Sequence, residues 1–106
     1  MSVEVRIVSK TPPGGRCELY ARMLFEIVRS HANVYYTLIP ADLNPEEVTP
    51  PLVLVSGTPV HPEDGVILTP PEVLRALEKA GAELREGSSP PEERLWELYE
   101  EFLSGI

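Results

Sequence analysis

The spacing of apolar positions changes several times along this chain, and each change marks an element. Val3, Val5 and Ile7 alternate with Glu4 and Arg6, the period of two expected of a strand with one buried face. Across residues 17–31 the period becomes helical. Glu18, Arg22, Glu26 and Arg29 form a solvated stripe, with Glu18 and Arg22 at the favourable i,i+4 spacing. The opposite side holds Tyr20, Leu24, Ile27 and His31, flanked by Cys17, Met23 and Val28. Phe25 falls outside that face, so another element or a partner must cover it. Residues 33–39 are β-branched and aromatic and predict a second strand. Strand, helix and strand with short joints predict a right-handed βαβ unit with parallel strands.

The second half reads as two more strands and two helices. Asn44-Pro45-Glu46-Glu47 carries a cap residue, a proline and first-turn acids, and predicts a short helical turn. Pro50-Pro51 leads into Leu52-Val53-Leu54-Val55, an unbroken apolar run expected to be buried on both faces. Ser56-Gly57 is a turn, and residues 58–61 pair back as an edge strand, where Pro59 is tolerated. Pro62-Glu63-Asp64-Gly65 is another turn, followed by Val66, Ile67 and Leu68. Thr69-Pro70-Pro71-Glu72 is a capping box opening a helix with Val73, Leu74, Leu77 and Ala80, which stops at Gly81. Ser89-Pro90-Pro91-Glu92 repeats that grammar before Leu95, Trp96, Leu98, Tyr99, Phe102 and Leu103, an apolar arc wide enough to bury two sides or to dock something. The expected organisation is one domain over residues 1–84, a linker at 85–90, and a helix at 91–104 packed on the domain or in a dimer interface.

Composition narrows the function classes. Nine basic against seventeen acidic residues give a net charge of -8, which argues against nucleic-acid and anionic-membrane partners. The apolar runs fall far short of the ~20 residues of a membrane span. No basic stretch precedes an apolar one at the start, so a cytoplasmic chain beginning at Met1 is expected. The single cysteine, Cys17, excludes an intrachain disulfide and a cysteine metal cage. His31 and His61 lack ligand spacing, so neither metal nor cofactor is expected. The twelve prolines concentrate in Thr/Ser-Pro-Pro triplets at Thr11, Thr49, Thr69 and Ser89. Prolines in connections lower unfolded-state entropy, which points to a thermostable protein.

The order β-α-β-β-β-α with a four-stranded mixed sheet resembles the thioredoxin-like core, with an extra C-terminal helix beyond it. Three local anchors carry the resemblance. Gly14-Gly15-Arg16-Cys17 stands where thioredoxin-like proteins carry Cys-x-x-Cys. Pro51 stands where that fold has its cis-proline, and Ser56-Gly57 matches the turn joining its last two strands. Val5-Arg6-Ile7-Val8, and Val55-Ser56-Gly57 through His61 to Asp64-Gly65, are also similar to the selenoprotein W-type branch. The resemblance covers residues 3–81. It implies an attacking and a resolving cysteine, but Gly14 holds the first position and only Cys17, at the second, is a thiol. A dithiol exchange within the chain is therefore ruled out.

Two readings of Cys17 stay open. A thiol at a helix N-terminus beside Arg16 has its thiolate stabilised by dipole and cation, which suits a monothiol thiol-disulfide oxidoreductase or redox sensor. The other makes it a small buried core residue beside Ala21 and Leu24, the reading that its place in the helix projection favours. Gly14, Gly15 and Arg16 precede a helix and offer backbone N–H groups to an anion, or connect and nothing more. The resemblance further implies a peptide-binding groove between Gly14–Cys17 and Pro51, making the chain a protein-binding or adaptor domain. A third class is assembly: a homodimer through Phe25, Leu95, Trp96, Tyr99 and Phe102. His31 is expected to close the first helix, and His61 to point from the edge strand.

Overall fold

The computed structural model describes residues 1–105 of the chain. In chain order the elements are β1 (Val3–Ser9), α1 (Gly15–Ser30), β2 (Val34–Pro40), a 3-10 turn (Ala41–Leu43), β3 (Leu52–Val55), β4 (Thr58–Val60), α2 (Pro70–Lys79) and α3 (Glu92–Leu103). This is an α/β fold: β-α-β, then β-β and two C-terminal helices. The mixed sheet has the order β2-β1-β3-β4. β1 runs parallel to β2 and antiparallel to β3, and β3 is antiparallel to β4. Both Ser56 and Gly57 adopt positive φ, 49° and 83°, the backbone of the two-residue turn whose twist suits a hairpin. Two peptide bonds are cis, Thr11–Pro12 and Pro50–Pro51.

Register sorts the sheet residues onto two unlike faces. Val3, Val5 and Ile7 lie beside Val34, Tyr36 and Leu38 on one side and Val55 and Val53 on the other. This face meets Leu19, Met23, Leu24 and Ile27 of α1, Val73 and Leu77 of α2, and Leu95 and Leu98 of α3 in one core. The opposite face carries Glu4, Arg6 and the fully buried Val8 of β1, Tyr35, Thr37 and Ile39 of β2, and Leu52 and Leu54 of β3. The expectation that β3 is buried on both faces is therefore corrected. Val53 and Val55 are buried, whereas Leu52 and Leu54 are half-buried, because the helices gather on one side only.

α1 starts at Gly15, two residues before the expected boundary, with Gly14 as its N-cap. Its buried residues are Cys17, Leu19, Tyr20, Met23, Leu24 and Ile27, the projected inner side plus Leu19. Among the described residues Phe25 is only partly covered and stays 55% exposed. At the C-terminus the His31 N–H donates to the Ile27 carbonyl, and its ring Nδ1 lies 2.9 Å from Ser30 Oγ and 3.1 Å from Ile27 O. Arg85 reaches back to donate to the carbonyls of Arg29 and Val28 at 3.2 and 3.3 Å, which satisfies acceptors that a helix end leaves open.

Two turn expectations change. The helical turn sits at Ala41–Leu43, not at Asn44–Glu47. Pro45 biases the residue before it toward extended backbone, and Asn44 (φ -76°, ψ 134°) accordingly ends the turn. The capping box of α2 is formed: Glu72 accepts from the Thr69 N–H at 2.8 Å and its hydroxyl at 2.9 Å. The second box is not. α3 begins at Glu92 with Pro91 as N-cap and no side-chain cap. Glu92 faces the Trp96 indole N–H, which donates to it at 3.3 Å, instead of reaching back to Ser89.

Candidate functional site

Arg16 stands in the first turn of α1, and Tyr20 follows one turn later on the same side of the helix. The Arg16 guanidinium donates to the Val66 carbonyl at 2.7 Å. The Tyr20 hydroxyl accepts from the Leu68 N–H at 3.0 Å. The Asp64 carboxylate holds the same loop from within, accepting from the N–H groups of Val66 and Ile67 at 2.8 and 3.0 Å. These bonds draw its carboxyl below the ordinary range against a small opposing effect of burial. Val66, Ile67 and Leu68 are therefore not a strand but an anchored loop whose last two side chains plug the core.

Between this loop and the segment ahead of β3 lies a groove of about 450 Å³. Arg16 and Tyr20 form one wall, Val48 to Val53 with Pro51 another, and Val60, His61 and Pro62 the end. Burial pushes the Tyr20 phenol above its usual pKa, against the opposing Leu68 N–H and Arg16 charge, so at neutral pH it stays a hydroxyl. Among the described residues no hydrogen bond engages the backbone N–H or C=O of Val48 or Thr49. The groove thus offers a cation, a mixed polar and apolar lining and an unpaired stretch of main chain.

The expected site residues separate. Arg16 and Pro51 meet in the groove, whereas Gly14, Gly15 and Cys17 do not line it. Gly15 lies under α3: a β-carbon there would stand 3.0 Å from the Phe102 ring. Cys17 is 1% exposed. Burial pushes its thiol up, but the N–H groups of Lys10, Gly14 and Cys17 itself and the Ser9 hydroxyl outweigh it and hold the pKa below the ordinary value. Arg16 is not among those causes; its charge is felt at Tyr20 instead. Two groove residues, Tyr20 and His61, had not been placed there by sequence. A buried tyrosine needs a partner for its hydroxyl, a signal that marks Tyr20 but does not say what it faces.

Of the residues expected at an interface, Leu95 is wholly buried among α1 and α2 contacts of its own chain, Trp96, Tyr99 and Phe102 are half-buried, and Phe25 is exposed. Trp96 and Tyr99 stack edge to face at 5.3 Å. Among the described residues no group of three His, Cys, Asp or Glu side chains is placed to hold a metal, and no helix is long and apolar enough to cross a membrane. No protein-family model, curated protein or solved structure matches this chain.

Proposed function

We propose that this chain is a divergent thioredoxin-like protein without the dithiol pair, and that it binds an extended peptide segment of a protein partner in the groove beside Pro51. The observation that supports this is the main chain of Val48 and Thr49, unpaired along a groove whose lining mixes polar and apolar groups. An extended peptide gains affinity from main-chain hydrogen bonds and specificity from side-chain pockets. Arg16 adds a cation at the wall and favours a ligand with a carboxylate facing it. The test is selection from a displayed library of short peptides, followed by NMR titration of the labelled protein with the selected sequence. Shifts at Thr49, Leu52, His61 and Val66, with binding lost in Arg16→Glu, are expected. Peptides whose shifts map elsewhere would refute the reading.

A second reading, a monothiol oxidoreductase or redox sensor using Cys17, has one observation in its favour: the donors that hold the thiol below its ordinary pKa. Its burial weighs on the other side, since a thiolate must be reached to attack. Native alkylation with iodoacetamide across neutral and mildly alkaline pH separates the two. The binding reading expects reaction only after unfolding; fast native alkylation with a depressed pKa would reverse the order.

A further inference from the structure

We infer that two copies of this chain join edge to edge through β2, in antiparallel register about a twofold axis at Thr37. The two edges of the sheet are built differently. β4 is three residues long, and its outward-facing residue is Pro59: the pairs Val55–Thr58 and Val53–Val60 flank the turn, so Leu54–Pro59 is the pair between them. Pro59 brings no N–H to that edge, a common way of blunting one. β2 is seven residues long, and its first six carry no proline and no charge, in a chain with a quarter of its residues charged.

The outward groups of β2 follow from one bond. The Val3 N–H donates to the Asn33 carbonyl at 2.8 Å. With that parity the odd-numbered residues turn their N–H and C=O toward β1, and Tyr36 and Leu38 direct theirs out of the sheet. An antiparallel copy then pairs Tyr36 with Leu38 of the second copy and Leu38 with its Tyr36 through four hydrogen bonds, while Val34 falls opposite Pro40, which offers a carbonyl but no N–H. On the open face Thr37 meets Thr37, and Tyr35 meets Ile39, pairings that stabilise sheets.

Apolar side chains left uncovered gather along this edge: Leu38 at 37% and, three residues earlier on the other face, Tyr35 at 48%. Phe25, at 55%, lines one shallow cavity with Tyr36 of the same strand. A second copy is the favoured occupant because residues 35–39 pair with themselves about Thr37 and none of the five carries a charge, so the two strands meet without like charges directly opposite one another. It also leaves the Pro51 groove, toward the opposite edge, open.

Sedimentation of the full chain from micromolar to millimolar concentration, with hydrogen exchange read amide by amide, is the test. A monomer–dimer equilibrium is expected, in which the Tyr36 and Leu38 amides gain protection as concentration rises. Thr37→Glu sets two carboxylates opposite each other at the axis and weakens association about tenfold or more. Thr37 is exposed, so the variant keeps its fold, which circular dichroism checks. A monomer throughout, or a dimer in which those two amides stay unprotected or that Thr37→Glu leaves intact, would overturn the proposal.

Discussion

Replacing Tyr20 by phenylalanine removes one oxygen from the junction between α1, the groove and the loop leading to α2. The ring keeps its packing, since Tyr20 is buried with Met23 and Leu24 in the core. What is lost is the acceptor for the Leu68 N–H at 3.0 Å. Leu68 is itself 1% exposed, so water cannot take over the bond without opening the loop. A buried donor left without a partner costs about 1–3 kcal/mol. At about 4–8 °C per kcal/mol for a domain near this size, a loss of about 2 kcal/mol lowers Tm by about 10 °C. Urea denaturation at unchanged m-value gives the free energy, and exchange at the Leu68 amide tests the site.

The same variant carries a pH signature with a definite sign. Burial raises the folded-state pKa of Tyr20 above its unfolded value. The folded protein therefore holds the phenolic proton more tightly. That stabilisation is complete below the unfolded value of about 10 and is lost as pH rises through the higher folded one. The gap between the native protein and Tyr20→Phe accordingly narrows in strongly alkaline solution. Equal stability at neutral pH, with the Leu68 amide still protected in the variant, would refute the reasoning.

Other perturbations test other joints. Glu72→Gln weakens the cap that binds Thr69 and also takes the Glu63 N–H at 2.7 Å; a cost of about 1–2 kcal/mol at neutral pH is expected from denaturation curves. Burial raises the Glu72 carboxyl, but these bonds outweigh it and the folded pKa lies below the usual value. Its stabilisation is therefore present above the unfolded pKa and fades as pH falls through the folded one, so the two proteins converge in acid. Leu95→Ala empties a fully buried position and is expected to cost about 2–5 kcal/mol in urea unfolding; a cost near zero would mean that α3 is not part of the core. Arg16→Ala frees the Val66 carbonyl and is expected to speed exchange in residues 62–68 while leaving Cys17 titration, followed by thiolate absorbance, unchanged.

The element order was legible because each segment states its period locally. Val3, Val5 and Ile7 need only alternation, and the Thr69–Glu72 cap needs only four adjacent residues. What stayed hidden depends on what lies across space. Leu52-Val53-Leu54-Val55 is apolar at every position, so its pattern cannot say that one side lacks a helix; register, which sets Leu54 beside Arg6, decides that. Ser89-Pro90-Pro91-Glu92 has the composition of the earlier cap, but a tryptophan one turn on takes its glutamate. Arg16 sits next to Cys17 in sequence, yet successive helix residues point about 100° apart, and the guanidinium crosses to Val66 instead. Adjacency in the chain therefore put charge and thiol together where the helix separates them.

That separation bears on what the strand-to-helix junction can do. The thiol faces inward to Ser9, Lys10 and Gly14, and the cation faces outward to the groove. A nucleophile needs an exposed thiolate that the substrate can reach, and the thiol here is turned into the core. A binding surface needs only the cation and the walls. Gly14 and Gly15, which the resemblance places at the reactive end, lie against Lys10 and beneath Phe102. Gly15→Ala tests whether that close approach is structural. Its β-carbon would enter at 3.0 Å from the Phe102 ring, so the variant is expected to loosen α3, and pairing it with Phe102→Leu to restore stability. An uncorrected loss in the double variant would mean that Gly15 is required for backbone reasons, and the contact with α3 would then carry no weight.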